Sequence, residues 1–387
     1  MDITVYPGRA EGVVAAPPCI NEAKRAIVLA SITLSGVRGS GLGNEIQELL
    51  GALSDMGAQY RIEDSVILFY KAPQSSKTTV TCSLETAVLL LPLCAALGGE
   101  YTFFGRFESC LADALEGTGA ELKTDGTGIT VKGKISTKEI IVVDEKMLTG
   151  FLLALPLLED IKINFEGNKA QADFALQILK DFGYAVNETD GYRLKKDGGR
   201  QAGYAYNAGG DYGEAVYYML SGFVSGEVGV TGLLADTAQP KRKIIEELKR
   251  YKLNVQELYG AVFAKRSRMR AEVIDIAASA APCAVLLLAC LGRGKCVIKN
   301  FELLQANVRE EFEAACSGLK GIGADIMKIG SDVFVEGKAK LFGGRADAQG
   351  NRRLSLVFAA AALNSETGVK IENCADISEI RALGISL

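Results

Sequence analysis

The chain has 387 residues, a net charge of −4 and a mean hydropathy of +0.16, with 48% hydrophobic residues. This length predicts two domains of roughly 150–200 residues. The acidic balance argues against nucleic-acid binding, which needs a concentrated basic face. The apolar runs are shorter than the roughly 20 residues that span a bilayer. With no signal or transit segment in the sequence, we expect a cytoplasmic protein without membrane contact.

The chain contains no histidine and nine cysteines. The absence of histidine excludes Ser-His-Asp and Cys-His nucleophilic sites and histidine-based metal centres. The cysteines form no CxxC pair, and most lie in apolar stretches, which indicates reduced core thiols of a cytoplasmic protein. We expect neither a metal ion nor a cofactor.

An amphipathic helix followed by two short strands recurs along the chain. A glycine that follows four of these helices predicts a left-handed C-cap, whereas the fourth copy has Leu253 near this point. The five copies cover residues 44–70, 110–133, 172–196, 241–266 and 309–337. The four glycines are Gly57, Gly119, Gly183 and Gly323.

A second type of helix is apolar on nearly all sides and is therefore expected to be buried. Most copies precede a β-rich segment, so the two helix types together predict six α/β modules, three in each of two domains. The best boundary is the stretch 231–243. The six buried helices lie within residues 23–33, 84–99, 146–160, 214–227, 281–294 and 353–368.

Three local motifs have plain structural interpretations beside functional ones. The turn "QGNRR" (349–353) precedes a helix, whose N-terminus is a natural anion site. Asp144 and Glu145 precede a buried helix and fit N-capping acids as well as a ligand role. The basic run "KRSRMR" (265–270) predicts a solvated loop or a surface between domains.

Eight segments in a fixed order resemble the enolpyruvyl transferases, in particular the EPSP synthase family. They are INEAKRAIVLA, CSLETAVLLLPLCAAL, GRFESCLADALEGTGAEL, VDEKMLTGFLLALPL, GGDYGEAVYYMLSG, AQPKRKIIEELKR, NFELLQANVREEFEAACSGLKGIGADI and QGNRR. The resemblance implies a two-domain α/β fold of six repeated units, three per domain, each domain an inside-out α/β barrel. The expected domains are residues 18–232 and residues 1–17 plus 233–387, with hinges near 17–20 and 231–240 beside an interdomain cleft.

The resemblance also implies a reaction of the shikimate pathway, which leads to aromatic amino acids. Phosphoenolpyruvate is joined to shikimate 3-phosphate, and phosphate is released. The expected partner is accordingly a small anionic ligand in the cleft, phosphoenolpyruvate or a shikimate-like compound, bound by a monomer. Arginine and lysine are the residues that grip such anions. The candidates are Lys24, Arg25, Arg106, Lys146, Arg352 and Arg353.

The same motifs depart from the family pattern at charged positions. Ile20 replaces a lysine, and Asp144 and Glu145 replace two serines. Glu85 adds a carboxylate to the second motif. The family's general-base aspartate falls near Ala280, and an arginine becomes Glu311.

Two interpretations therefore stay open, and no catalytic residue is assigned. One is a working enolpyruvyl transferase. The other is a divergent or non-catalytic homologue that binds another ligand or acts as a partner or regulatory protein. A chemistry like that of RNA 3′-phosphate cyclases is excluded, because it needs a histidine nucleophile.

Overall fold

The structure is a computed structural model that describes residues 1–104, 115–124, 127–158, 160–167, 169–195, 204–270 and 273–386. Arg106 and much of the predicted amphipathic helix of the second repeat lie outside these residues. Among the described residues, no helix combines the length and the apolar character needed to cross a bilayer.

The chain forms two compact units. The central unit is Pro18–Gly209 with Thr237–Pro240, and the terminal unit is Met1–Pro17 with Gly210–Asp236 and Lys241–Leu387. The chain therefore leaves the central unit after Gly209, upstream of the predicted boundary at 232. The reason is that strand Glu227–Thr231 pairs in parallel with strand Glu11–Ala15 of the terminal unit.

All six helices predicted to be buried are present, each with a long series of buried residues. They are α1 (Ile20–Thr33), α3 (Leu84–Leu97), α4 (Glu145–Ala154), α6 (Tyr212–Ser225), α8 (Pro282–Cys290) and α10 (Arg352–Leu363). The amphipathic helices among the described residues are α2 (Asn44–Asp55), α5 (Ala170–Asp181), α7 (Ile244–Arg250) and α9 (Ala306–Gly321).

Two sheets of the central unit contain a parallel strand pair joined by a helical crossover, and the first sheet contains a parallel pair whose strands lie far apart in the sequence. An antiparallel hairpin then extends the four-stranded sheets. The first sheet has the order β14 (Ala205–Asn207), β3 (Gly36–Arg38), β5 (Val66–Lys71), β4 (Gln59–Glu63). The second has β6 (Ser76–Thr81), β7 (Gly99–Phe104), β9 (Gly128–Gly133), β8 (Ala120–Thr124). The third pairs β10 (Glu139–Val142) with β11 (Lys162–Phe165), beside the hairpin β12 (Val186–Asn187) and β13 (Arg193–Leu194).

Two sheets of the terminal unit repeat this topology, and the third has the parallel pair with one antiparallel strand in place of a hairpin, which supports the predicted repetition of one module. Its first sheet has the order β16 (Asn254–Leu258), β17 (Ala261–Lys265), β15 (Glu227–Thr231), β2 (Glu11–Ala15). The second has β18 (Val273–Asp275), β19 (Lys295–Lys299), β21 (Asp332–Glu336), β20 (Asp325–Ile329). The third has β1 (Ile3–Val5), β23 (Val369–Glu372), β22 (Gly344–Asp347).

Each unit has its own hydrophobic core, built from the buried helices and the inward faces of the sheets. The core of the central unit includes Phe151 of α4 and Leu91 of α3, both fully buried. The core of the terminal unit includes Phe223 of α6 and Phe358 of α10. Burial of apolar surface is the main stabilising contribution in such cores.

The predicted glycine caps have the left-handed backbone that the sequence indicated. Gly57 and Gly183, for example, have φ angles of 90° and 85°. In the fourth copy the same conformation falls on Lys252, at φ 63°. A side chain in this region of φ/ψ space is strained, because its Cβ crowds the backbone.

The basic run 265–270 is not simply a solvated loop. Arg268 donates hydrogen bonds to the carbonyl oxygens of Leu291 at 2.8 Å and Lys338 at 3.0 Å, and also to that of Gly292. Leu291 is the C-cap of α8. Arg268 therefore satisfies carbonyl groups at a helix C-terminus, where a positive charge is favoured.

Candidate functional site

Arg25 lies on α1 of the central unit and binds neighbouring protein groups. Its Nη1 donates to the carbonyl oxygen of Asn21 at 2.8 Å, and Nη2 donates to Oε1 of Gln171 on α5 at 2.7 Å. The guanidinium also lies 5.0 Å from the ring centroid of Phe174. Burial lowers the pKa of Arg25 to about 10, so the group is still charged at neutral pH. Its Nε is buried without a hydrogen-bond partner among the described residues.

Lys24, the preceding residue, is paired with carboxylates of the protein itself. Its side chain is buried, and Nζ lies 2.6 Å from Oε2 of Glu45 and 3.8 Å from Oε1 of Glu85. Glu85 is the carboxylate that departs from the family pattern in the second motif. The positive charge of Lys24 is therefore neutralised within the molecule.

The two acids at the start of α4, the N-cap Asp144 and the first helical residue Glu145, accept hydrogen bonds at helix N-termini. Oδ1 of Asp144 accepts a hydrogen bond from the backbone N–H of Met147 at 2.9 Å, which confirms the N-capping interpretation for this residue. Oε1 of Glu145 accepts from the backbone N–H of Gln171 in the first turn of α5, at 3.3 Å. Lys146 is exposed. Two helix N-termini that would favour an anion thus already have one.

In the terminal unit, Arg353 is held between two carboxylates. Its Nε donates to Oε1 of Glu214 on α6 at 2.7 Å, and Nη1 donates to Oε2 of Glu311 on α9 at 3.4 Å. The side chain of Glu311 is 10% exposed and that of Glu214 is 21% exposed. Burial lowers the pKa of Arg353, but Glu214 and Glu311 outweigh burial and raise the pKa above its usual value.

The rest of the 349–353 turn is also engaged. Oδ1 of Asn351 caps α10 by accepting from the backbone N–H of Arg353 at 2.8 Å. Arg352 donates to the hydroxyl of Tyr218 at 2.8 Å and pairs with the carboxylate of Glu379. Within the described residues, this turn therefore has its arginines bound to protein groups.

The sequence model of the EPSP synthase family (3-phosphoshikimate 1-carboxyvinyltransferase) matches residues 5–379 of the chain, and this match decides the family. The chain belongs to the EPSP synthase family. Several relatives bear the name 3-phosphoshikimate 1-carboxyvinyltransferase. One from Clostridium novyi (strain NT) is 26% identical over 409 residues, covering 96% of this chain and 93% of the relative. One from Tolumonas auensis is 28% identical, and the match covers 96% of this chain and 94% of the relative.

Solved EPSP synthase structures have the same fold. An EPSP synthase from Acinetobacter baumannii superimposes with a TM-score of 0.80 at 18% identity, and the match covers 100% of both chains. A second structure, also an EPSP synthase from Acinetobacter baumannii, superimposes with a TM-score of 0.78 at 19% identity. These matches confirm the two-domain enolpyruvyl-transferase fold that the sequence predicted.

Ala280 stands where the EPSP synthase family was expected to carry its general base, and the nearest polar side chains contact other protein groups. Ala280 is half-buried, and Oγ of the adjacent Ser279 donates to Oε2 of Glu247 at 3.1 Å. Asp275, the aspartate earlier in the stretch, accepts from the backbone N–H of Ala277 at 3.2 Å and caps a short 3₁₀ turn.

Three carboxylates that pair with the candidate cations, namely Glu214, Glu45 and Glu379, were missed from the sequence. Glu214 stands in "GGDYGEAVYYMLSG", where the EPSP synthase motif has consecutive serines, so the motif itself held the signal. Glu45 gave no signal, because it stands outside the family motifs at the start of α2. The structure places Lys24 and Arg25 together on α1, and Arg352 and Arg353 together on α10.

Proposed function

We propose that this member of the EPSP synthase family does not transfer the enolpyruvyl group, and that it keeps the family scaffold to bind a different ligand or a partner. The observation that carries the proposal is the position of Arg353 between Glu214 and Glu311. The charge of an arginine that would otherwise grip phosphate or carboxylate is already compensated by the protein.

The electrostatics around Arg353 oppose an anionic substrate. Two carboxylates against one guanidinium leave a net negative charge on this cluster. A phosphate beside them would meet like charges, and this repulsion costs several kcal/mol where water is scarce. Lys24 is likewise neutralised by Glu45 and Glu85.

The direct test is release of inorganic phosphate from phosphoenolpyruvate in the presence of shikimate 3-phosphate. We expect no release above the enzyme-free background, while the Acinetobacter baumannii EPSP synthase assayed in parallel is active. Turnover at a rate comparable with that enzyme would overturn the proposal.

A second test frees the arginine. In the double variant E214Q/E311Q, Arg353 loses both counter-charges, so the affinity for inorganic phosphate should rise at least about tenfold over wild type, which equals about 1.4 kcal/mol. Calorimetric titration measures this gain. The matched control is E313Q, which removes a carboxylate of the same helix that pairs with Lys328 instead. Equal phosphate affinity in all three proteins would contradict the role given to Glu214 and Glu311.

Anion binding at Arg25 is the second candidate function, because its buried Nε has no hydrogen-bond partner among the described residues. Titration with shikimate 3-phosphate and with phosphoenolpyruvate tests it, and R25Q should remove any heat observed. If neither compound gives heat or raises the melting temperature, the anion-site hypothesis for Arg25 fails.

The proposed location of the protein is the cytoplasm. The cysteines of the described residues are free thiols, and several are fully buried. Free core thiols are typical of reducing compartments. Localisation of a tagged chain in its host would test the proposal.

A further inference from the structure

The sheet of β18, β19, β21 and β20 in the terminal unit carries a row of apolar side chains on its outer face. Residues along β19 and β21 alternate between buried positions and positions that point away from the core. The strand register places four outward residues side by side, one from each strand. Because neighbouring strands lie about 4.8 Å apart, these side chains form a continuous apolar row. Its members are Val273, Val297, Phe334 and Met327.

This apolar row is open to the outside at both ends. Val273 is 59% exposed and Met327 is 55% exposed, and Ile329 on the same face of the edge strand β20 is 54% exposed. The corresponding sheet of the central unit has the same topology but polar side chains along the equivalent row. These are Thr79, Thr102, Thr130 and Lys123. The fold itself therefore does not require apolar residues here, and exposed apolar surface of this kind indicates an interaction site.

Charged residues flank the apolar row in a regular pattern. On one side, Lys295 of β19 stands opposite Glu336 of β21, with Nζ 3.9 Å from Oε2. On the other side, Lys299 of β19 and Asp332 of β21 continue the same register. Strand β19 therefore carries a lysine on each side of the row, and β21 carries a carboxylate on each side. The side chains of Lys295 and Glu336 are 82% and 57% exposed, so their pair within the chain is weak and both can contact another molecule.

We propose that this face binds a second copy of the chain, in a dimer whose two-fold axis lies parallel to the strands. This axis reverses the strand order of the partner, so β19 of each copy packs on β21 of the other. Lys295 of one copy then meets Glu336 of the other, and Lys299 meets Asp332. The other axis that stacks the two faces runs across the strands, and it would place Lys295 on Lys299 and Glu336 on Asp332, which repel. The charge pattern therefore selects both the partner and its orientation.

The apolar row fits the same arrangement, because stacked sheets keep their strands within about 30° of each other. Phe334 of each copy packs on Val297 of the other, and Met327 packs on Val273. The contact is small: four strands of about five residues cover about 300 Å² per copy, below the roughly 800 Å² per partner of a standard stable interface. We therefore expect a weak dimer with a Kd of about 0.1–1 mM, in place of the monomer that the family resemblance implied.

Analytical ultracentrifugation of the full chain tests the dimer. Between about 10 µM and about 1 mM protein, the weight-average mass should rise above the monomer mass of 41.1 kDa. V273S/M327S should stay monomeric over this range and keep its melting temperature, because both side chains are more than half exposed. The matched control is V13S, since Val13 is 50% exposed on another sheet, and it should associate as wild type does. A wild-type chain that stays monomeric, or a V273S/M327S variant that associates equally well, would overturn the proposal.

Charge reversal tests the contact between the two faces. K295E/K299E makes the face acidic and D332K/E336K makes it basic, so each variant alone should remain monomeric. An equimolar mixture of the two should form a one-to-one dimer, at least about tenfold tighter than either variant with itself. Added salt should weaken this dimer, because its charges are exposed. A mixture that sediments as monomers would show that the two faces do not meet.

The matched control for the mixture is K123E/K132E, which changes the net charge equally but on the outer face of the corresponding sheet of the central unit. Mixed with D332K/E336K, it should not form this dimer. Equal association in both mixtures would mean that net charge alone drives the contact, and the assignment to this face would be wrong. Neither experiment involves phosphate release, so the proposed dimer stands or falls separately from the proposed loss of transfer.

Discussion

Glu22 is a buried carboxylate on α1 that accepts hydrogen bonds from three groups in two other chain segments of the central unit. It is 1% exposed. Its Oε1 accepts from the hydroxyl of Tyr206 at 2.8 Å and from the backbone N–H of Gly209 at 3.1 Å, and its Oε2 accepts from Nε2 of Gln239 at 2.6 Å. Gly209 precedes the point where the chain leaves the unit, and Gln239 belongs to the segment that returns, Thr237–Pro240. Glu22 thus fastens both of these chain segments to α1.

The pair of Glu22 and Gln239 allows a sharp test by exchange of their side chains. Q239E alone places two carboxylates in contact without water, and we expect it to lower the free energy of unfolding by about 3 kcal/mol. E22Q/Q239E restores one carboxylate and one amide, so it should recover more than half of that loss. Urea unfolding monitored by circular dichroism measures both.

The control is E121Q, because Glu121 is an exposed carboxylate elsewhere in the same unit. This variant should change the free energy of unfolding by less than about 0.5 kcal/mol. If Q239E is equally destabilising when introduced into the wild-type protein and into the E22Q variant, the direct contact does not matter.

The sequence could not have paired these side chains. Arg353 was predicted from its motif, but its partner Glu214 lies 139 positions away, and Glu22 and Gln239 are 217 positions apart. Periodicity reports which face of an element is buried, not which distant residue meets it. The sequence therefore named the candidate cations, whereas only the structure shows which carboxylates neutralise them.

At the scale of elements, the sequence was far more informative. Helices α3 and α8 are apolar on nearly all sides, and this pattern predicts a helix that is buried. The hairpins were also predicted, because each helix ends at a turn followed by alternating residues. The amphipathic helix of the second repeat remains a prediction, since much of it lies outside the described residues.

The fourth repeat offers a stability prediction, because Lys252 stands where related copies have glycine. Its φ of 63° is strained for a side chain, and the residue is exposed, so K252G should raise the free energy of unfolding by about 1 kcal/mol. Thermal unfolding of the variant measures the gain. The matched control is K180G in the last turn of α5, where glycine should instead cost up to about 1 kcal/mol. A loss of stability in K252G would show that its side-chain contacts outweigh the backbone strain.

Across the whole molecule, buried thiols and hydrogen-bonded carboxylates set the pH range of stability. Burial raises the pKa of Cys296 to about 11 and that of Cys82 to about 12. Hydrogen bonding to Asn373 lowers the pKa of Asp347. For Glu48, burial raises the pKa, but hydrogen bonds from Thr86 and Ser83 outweigh it and the net shift is downward.

These shifts predict a stability plateau between about pH 5 and pH 8. Unfolded thiols ionise near pH 8.5, whereas folded Cys296 stays protonated until about pH 11. The stability from its raised pKa is therefore complete below about pH 8.5 and is lost as the pH rises through the folded value. The carboxylates act in the opposite sense, since their contribution is present above the unfolded pKa near 4 and is lost as the pH falls through the lowered folded value.

We expect urea unfolding to give a lower free energy of unfolding at pH 9.5 than at pH 7.5. The C296A variant should show a smaller difference between the two pH values, because one proton fewer is released on unfolding. Equal pH dependence in C296A and wild type would mean that this thiol is already ionised, or already accessible, in the folded protein.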